Sequence, residues 1–225
     1  MNERILEWDG CTNVRDLGGL KTADGCTTRM GTVVRSDTPA RLTAEGWAAL
    51  HSYGIRTIIT LRTHGMQEKE LDFTTPFPDI VTVQAPIEDI TDEDFLHTWA
   101  TTELWSTPLY YKDALQRWPE RHAAVFSAIA QAQPGGVLFH CIRGHDRTGI
   151  IALLLLSLAG VTPDDIVADY ELSLDPERDE LLAREHSSVR EALFGAVEGL
   201  DIDDYLISGG ASHEELAAVR RRLLG

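Results

Sequence analysis

Short runs of β-branched and apolar residues recur along the first two thirds of the chain, each closed by glycine, proline or polar turn residues. "TVVRS" (32–36), "TIITL" (57–61), "IVTVQAPI" (80–87) and "GVLFHC" (136–141) have the length and residue type of buried strands. Between the first two, "LTAEGWAALHSYG" changes to a helical period, with Thr43 as N-cap and Gly54 as its stop. A second short helix is expected over 65–72. Residues 109–132 repeat the helical pattern and break at Pro119, which lacks the N–H that would continue a helix. "GIIALLLLSLAG" (149–160) is apolar on every side yet falls short of the roughly 20 residues that cross a bilayer, so it predicts a central buried helix. Further on, "VTPDDIVADY" offers Thr162 as N-cap, Pro163 at the first helical position and acids in the first turn. "SHEEL" (212–216) has the spacing of a capping box for a last helix ending near Leu224.

Strands alternating with helices predict an α/β fold, a short and largely parallel sheet flanked by helices on both faces. No repeat, low-complexity run or linker divides the chain, so 1–225 reads as one domain. Residues 88–110 follow neither period. They open with acids and carry two tryptophans, and they predict an excursion or lid over the sheet's edge.

Composition changes this picture in one respect. The share of hydrophobic residues, 43%, is ordinary, but the formal net charge is −16. Such a surface repels nucleic acid and anionic membranes, so neither is expected as a partner. Any site for an anion must build its own positive potential. The first ten residues have no apolar core of a secretory signal. Cys11, Cys26 and Cys141 are too few and too scattered for a disulfide framework. A cytoplasmic protein is expected; the pattern sets no oligomeric state.

The chemistry concentrates in "VLFHCIRGHDRTGI" (137–150). Cys141 stands where a strand ends, and a helix is expected to begin near Arg147–Thr148. The peptide units from Ile142 to Arg147 can curl so that their N–H groups converge above the sulfur, a nest that suits a tetrahedral oxyanion at a helix N-terminus. Gly144 permits the curl and Gly149 lets the helix pack closely. Arg147 can grip two phosphate oxygens at once. An isolated cysteine ionises near pH 8.5, and the field that attracts phosphate also favours a thiolate. Thr148 is expected to donate its hydroxyl to the sulfur, and His140 to orient the loop. The proton donor for a leaving group is open among Asp146, inside the loop, and Asp89, Asp92 and Asp94 in the excursion. Arrangement of His140, Cys141, His145 and Asp146 around a metal is disfavoured by the adjacent Arg147.

"HCIRGHDRTG" (140–149) resembles the His-Cys-x5-Arg-Thr-Gly signature of cysteine-dependent phosphatases. "NVRDLGG" (13–19), residues 31–62 and "DIVADYELS" (165–173) are similar to segments of the atypical bacterial tyrosine and lipid phosphatases. The resemblance implies a two-step hydrolysis in which Cys141 becomes phosphorylated, Arg147 and the loop amides stabilise the transferring group, and neither metal nor cofactor takes part. It assigns Asp146 as general acid, with Asp89 as an auxiliary acid, and makes Ile142, Arg143, Gly144, His145 and Thr148 the substrate-contacting set. Relatives often carry lysine where this chain has His145, a departure that Arg143 partly offsets. Together with the acidity, it favours phosphotyrosine or another small phosphorylated compound over a multiply phosphorylated inositol headgroup. The competing readings are a phosphoinositide phosphatase, a phosphatase of a small metabolite, a silent phosphate-binding module and a sulfurtransferase. "LRTHG" (61–65) departs from the related Leu-Arg-Ser pattern and leaves the role of Arg62 open. Arg15 and Asp16 are expected to pin the N-terminal segment, Trp99, Trp105, Tyr110 and Tyr111 to pack the lid, and Cys11 and Cys26 to be inert.

Overall fold

Five strands form one sheet in the order β1-β2-β5-β3-β4, in a computed structural model that describes residues 3–225. Met1 and Asn2, the start of the predicted domain, lie outside the described residues. Strands β2 (Val33–Ser36), β3 (Ile55–His64), β4 (Val81–Asp89) and β5 (Gly136–His140) run parallel. The two-residue β1 (Arg15–Asp16) pairs antiparallel with β2; it is too short to leave a period in the sequence. In β3 and β5, Ile58, Ile59, Leu61, Val137, Leu138 and Phe139 are fully buried. These central strands are apolar without alternation because both faces of the sheet are covered.

On one face, α1 (Ala44–Tyr53) places Trp47 and Leu50 against Ile58 and Leu138. Thr43 caps it by accepting from the Gly46 N–H at 3.2 Å, and Gly54 at φ 99° ends it. The other face carries α5 (Asp146–Leu158), buried on nearly every side among Val33, Ile59 and Phe139. Around α5 stand α3 (Tyr111–Arg117), α4 (Pro119–Ala130), α6 (Pro163–Glu171), α7 (Pro176–Arg184), α8 (Val189–Val197), α9 (Ile202–Ser208) and α10 (His213–Leu224). Pro119 restarts the chain as α4, Thr162 caps α6, and Ser212 with Glu215 closes the capping box of α10. Among the described residues, no helix is long and apolar enough to cross a membrane.

Two local expectations are corrected. Residues 65–72 hold one 3-10 turn, Lys69–Leu71, in place of a helix. Glu68 accepts from the Thr63 N–H at 2.9 Å, which ties the stretch to the end of β3. The excursion is also more ordered than its lack of period suggests. It consists of the short α2 (Glu93–Phe95), a π-type turn Leu96–Ala100 and 3-10 turns at Glu103–Ser106 and Pro108–Tyr110. Phe95 anchors it, edge-on to Trp118 at 4.7 Å and to Tyr110 at 6.2 Å.

Candidate active site

Strand β5 ends at His140, and Cys141 follows with 4% of its surface exposed. His140 is fully buried, and burial pushes its ring down to about 3. The neutral ring has one arrangement that satisfies its partners. Nδ1–H donates to the Cys141 carbonyl at 3.1 Å, and Nε2 accepts from the Thr60 hydroxyl at 2.9 Å.

The next three carbonyls are also tied outward. Thr38 N–H donates to Ile142 O at 3.1 Å, Asn13 Nδ2 to Arg143 O at 2.9 Å and Arg35 Nη2 to Gly144 O at 2.9 Å. Among the described residues, the N–H groups of Ile142, Arg143, Gly144 and His145 have no partner in the chain. A peptide whose carbonyl is held outward turns its N–H the other way, so the loop is a set of donors left open to a ligand. Helix α5 starts at Asp146 without a side-chain cap, which adds its own unpaired N–H groups and the positive end of its dipole. Gly144 is required twice. Its φ is +71°, and a Cβ there would lie 2.6 Å from the Ser36 carbonyl.

The residues that hold these carbonyls come from far along the chain. Asp169 on α6 receives Arg15 Nε at 3.2 Å, Arg35 Nη1 at 2.8 Å and the Arg4 guanidinium. Burial alone would raise the Asp169 carboxyl, but the three arginines hold it well below the usual carboxylate range. Arg15 also donates to Asn13 Oδ1 at 2.6 Å and to Ser173 Oγ at 3.0 Å. Asp16 accepts from the N–H groups of Gly18 and Gly31 and from the Tyr53 hydroxyl. The expected pinning role of Arg15 and Asp16 therefore has a purpose, because the N-terminal segment carries the asparagine that holds the loop. Arg62 lies apart from this, bound to Gln84 and to Asp72 at 2.6 Å.

Arg147 enters the site from the first turn of α5. Its Nη1 lies 2.7 Å from Glu68 Oε1 and donates to the Leu61 carbonyl at 3.0 Å, while Nε stands 4.0 Å from Glu88 Oε2. Burial opposes its charge, yet Cys141, Glu88 and Glu68 more than offset it and raise the guanidinium further. Glu88 is 1% exposed and accepts from the Tyr110 hydroxyl at 2.6 Å and from Thr63 Oγ1 at 3.1 Å. No local pattern points to either glutamate. Glu68 lies in the stretch 65–72, where a short helix is expected and a 3-10 turn is found. Glu88 faces Arg147 because the β3–β4 register skips Ile87, pairing Arg62 with Pro86 and Thr63 with Glu88.

The structure brings Ile142, Arg143, Asp146 and Arg147 together on a cavity of about 610 Å³. Burial pushes the Asp146 carboxyl up; its Oδ1 has no partner, and Arg143 Nη2 reaches Oδ2 only at 3.4 Å. His145 has its Nδ1 3.3 Å from Asp175 Oδ2. Burial, then the neighbouring Arg143, pushes it down to about 4, so it adds no charge near neutral pH. Thr148 is fully buried, and its hydroxyl has no partner, so the expected bond to sulfur is not made. Asp89 does not line the cavity. Its Oδ2 lies 2.5 Å from Arg121 Nη2 and its Oδ1 accepts from the N–H and hydroxyl of Thr91. Against its burial, Thr91 and Arg121 hold that carboxyl below its ordinary value, which suits an ion pair and not an acid. Asp92 and Asp94 are bound by Arg117. All three cysteines are free, and among the described residues no group of three or more His, Cys, Asp or Glu could hold a metal.

With a cysteine at a strand end, a nest of free amides and a buried arginine, the site has the parts of a cysteine-dependent phosphatase. The model of the tyrosine phosphatase family matches residues 6–225, and the chain belongs to that family. A protein of Cupriavidus necator named for tyrosine-protein phosphatase activity is 35% identical over 173 residues, covering 73% of this chain and 61% of that protein. The triple specificity protein phosphatase PtpB of Mycobacterium tuberculosis is 29% identical over 204 residues, covering 76% of this chain and 70% of PtpB. The chain thus spans about three fifths of the first relative's length. Among solved structures, the catalytic core of Siw14 superposes with a TM-score of 0.47 at 16% identity, covering 91% of this chain and 92% of that one.

Proposed function

We propose that this chain hydrolyses phosphomonoesters, phosphotyrosine or another small aryl phosphate foremost, through a phosphorylated Cys141. The observation that carries this reading is the set of four consecutive carbonyls, Cys141 to Gly144, held away from the site while the amides beside them stay free. In the first step the Cys141 thiolate attacks phosphorus in line, and the bond from phosphorus to the ester oxygen breaks. The amides and Arg147 stabilise the charge on the equatorial oxygens. Asp146, whose carboxyl is biased toward its protonated form by burial, gives a proton to the leaving oxygen. In the second step the Asp146 carboxylate takes a proton from water as that water attacks the cysteinyl phosphate and releases phosphate. Nucleophile, charge stabiliser and acid are all side chains of one loop, so the reaction calls for no metal or cofactor. A thiol nucleophile works in a reducing compartment, which supports a cytoplasmic setting.

The rim argues against a multiply phosphorylated headgroup. The exposed lining of the cavity sets Glu103, Glu177 and Glu180 against Arg143 and Arg184, and further phosphates would meet like charge from the three glutamates. The same reasoning disfavours phosphoinositides and leaves small phosphorylated metabolites as the competing substrates.

Cys141→Ser should abolish turnover of a chromogenic aryl phosphate while oxyanion binding, followed by calorimetry, persists. Full activity in that variant would remove the mechanism. Asp146→Asn should slow esters with poor leaving groups about 100-fold and esters with good ones only a few-fold. An equal loss for both would take the acid's role from Asp146.

A further inference from the structure

Arg147 does not wait for a substrate with its guanidinium free. The Leu61 carbonyl accepts from Nη1, and Glu68 Oε1 crowds the same nitrogen at 2.7 Å; Glu68 is itself fixed by the Thr63 N–H and only 3% exposed. A tetrahedral anion that uses two guanidinium nitrogens must therefore take the Nε and Nη2 edge. That is the edge that faces Glu88, whose Oε2 stands 4.0 Å from Nε. An oxyanion oxygen would then approach the same edge of the guanidinium as a buried carboxylate oxygen. Two anionic oxygens brought close in a poorly hydrated pocket repel strongly, and a proton on one of them relieves the repulsion.

We infer that Glu88 takes up a proton from solution when a tetrahedral oxyanion binds Arg147, and that the neutral carboxyl then donates a hydrogen bond to that anion. The inference rests on the loop being an oxyanion site and assigns Glu88 a place in it. In the acid–base step the Glu88 carboxylate gains one proton from a buffer acid, and no other bond changes. The groups that face Glu88 are Arg147 and Asp146 from α5, the Tyr110 hydroxyl from the turn before α3 and Thr63 from β3. Without ligand, the Tyr110 and Thr63 hydroxyls and the guanidinium balance its charge. An entering anion diverts the guanidinium and leaves the two hydroxyls. Burial already biases this carboxyl toward its neutral form, and Asp146 adds to that bias.

The test is calorimetric titration with sulfate, which stays a dianion near neutral pH and cannot supply or accept the proton itself. Measurements in buffers of differing ionisation enthalpy count protons taken up per sulfate bound. The Cys141→Ser background removes the thiol's own titration. About one proton per sulfate is expected there, with affinity rising about tenfold for each pH unit lowered. Glu88→Gln in the same background should bind sulfate with no uptake and a flat pH dependence; Asp146→Asn should leave the uptake in place. Binding without uptake overturns the inference, as does an uptake that survives Glu88→Gln and is lost in Asp146→Asn. Sulfate that fails to bind at all overturns the oxyanion-loop reading, and this inference with it.

Discussion

Asp169 receives three guanidinium groups on one carboxylate at a fully buried position. Removing one member of such a cluster leaves uncompensated charge in the interior, which costs far more than a surface pair. Asp169→Asn should lower unfolding free energy by about 3–5 kcal/mol, read from urea midpoints at neutral pH. The loss should extend to activity, because Arg35 links Asp169 to the Gly144 carbonyl. The pH dependence has a definite sign. The carboxyl is held lower in the folded chain than its value of about 3.9 in the unfolded one. Its stabilisation is therefore fully present above about pH 4 and fades as pH falls toward the folded value. The gap between wild type and variant should narrow on acidification below pH 4; a constant gap would mean the carboxylate's charge is not what stabilises the fold.

Helix α5 shows how an element constrains the loop it follows. Gly149 lies where the helix crosses two tyrosines, and a Cβ there would come 2.3 Å from the Tyr111 hydroxyl oxygen and 2.9 Å from Tyr170 Cε2. The Tyr111 hydroxyl donates to the Asp146 carbonyl at 2.9 Å, so any shift of Tyr111 reaches the first residue of the helix and the acid it carries. Alanine is a better helix former than glycine by about 1 kcal/mol, but overpacking a core costs about 1–3 kcal/mol. The clash should win. Gly149→Ala is expected to lower the urea midpoint and to slow turnover more than it weakens binding. An alanine variant more stable than wild type would show that the tyrosines give way freely.

At the scale of the molecule, a net charge of −16 surrounds a site that must admit a dianion. The positive potential comes from a few amides, Arg147, the half-exposed Arg143 and Arg184, and Glu103, Glu177 and Glu180 on the same cavity oppose it. Salt screens the long-range repulsion over about 10 Å at 0.1 M and leaves contacts inside the loop nearly intact. The kcat/KM of a small aryl phosphate should thus rise several-fold between about 0.01 and 0.2 M salt. A phosphopeptide with lysines flanking the phosphorylated residue should show the opposite trend. A fall for the small substrate would mean that the loop's field, not the acidic surface, governs encounter.

The sequence by itself determined the four main strands, the capped helices and the reactive loop. Strand runs, the caps Thr43, Thr162 and Ser212, the break at Pro119 and the order Cys141, Gly144, Asp146, Arg147 are local patterns, set by backbone geometry within a few residues. Tertiary structure decided who surrounds the loop. Asn13, Arg35 and Asp169 meet it across more than a hundred residues of chain, or act through one another to do so. The skipped register at Ile87 aims Glu88 at Arg147, while Asp89 goes to Arg121. Two adjacent carboxylates look alike in a one-dimensional reading. Only the pairing of β3 with β4 fixes which one faces the site, because neighbouring side chains on a strand point to opposite sides.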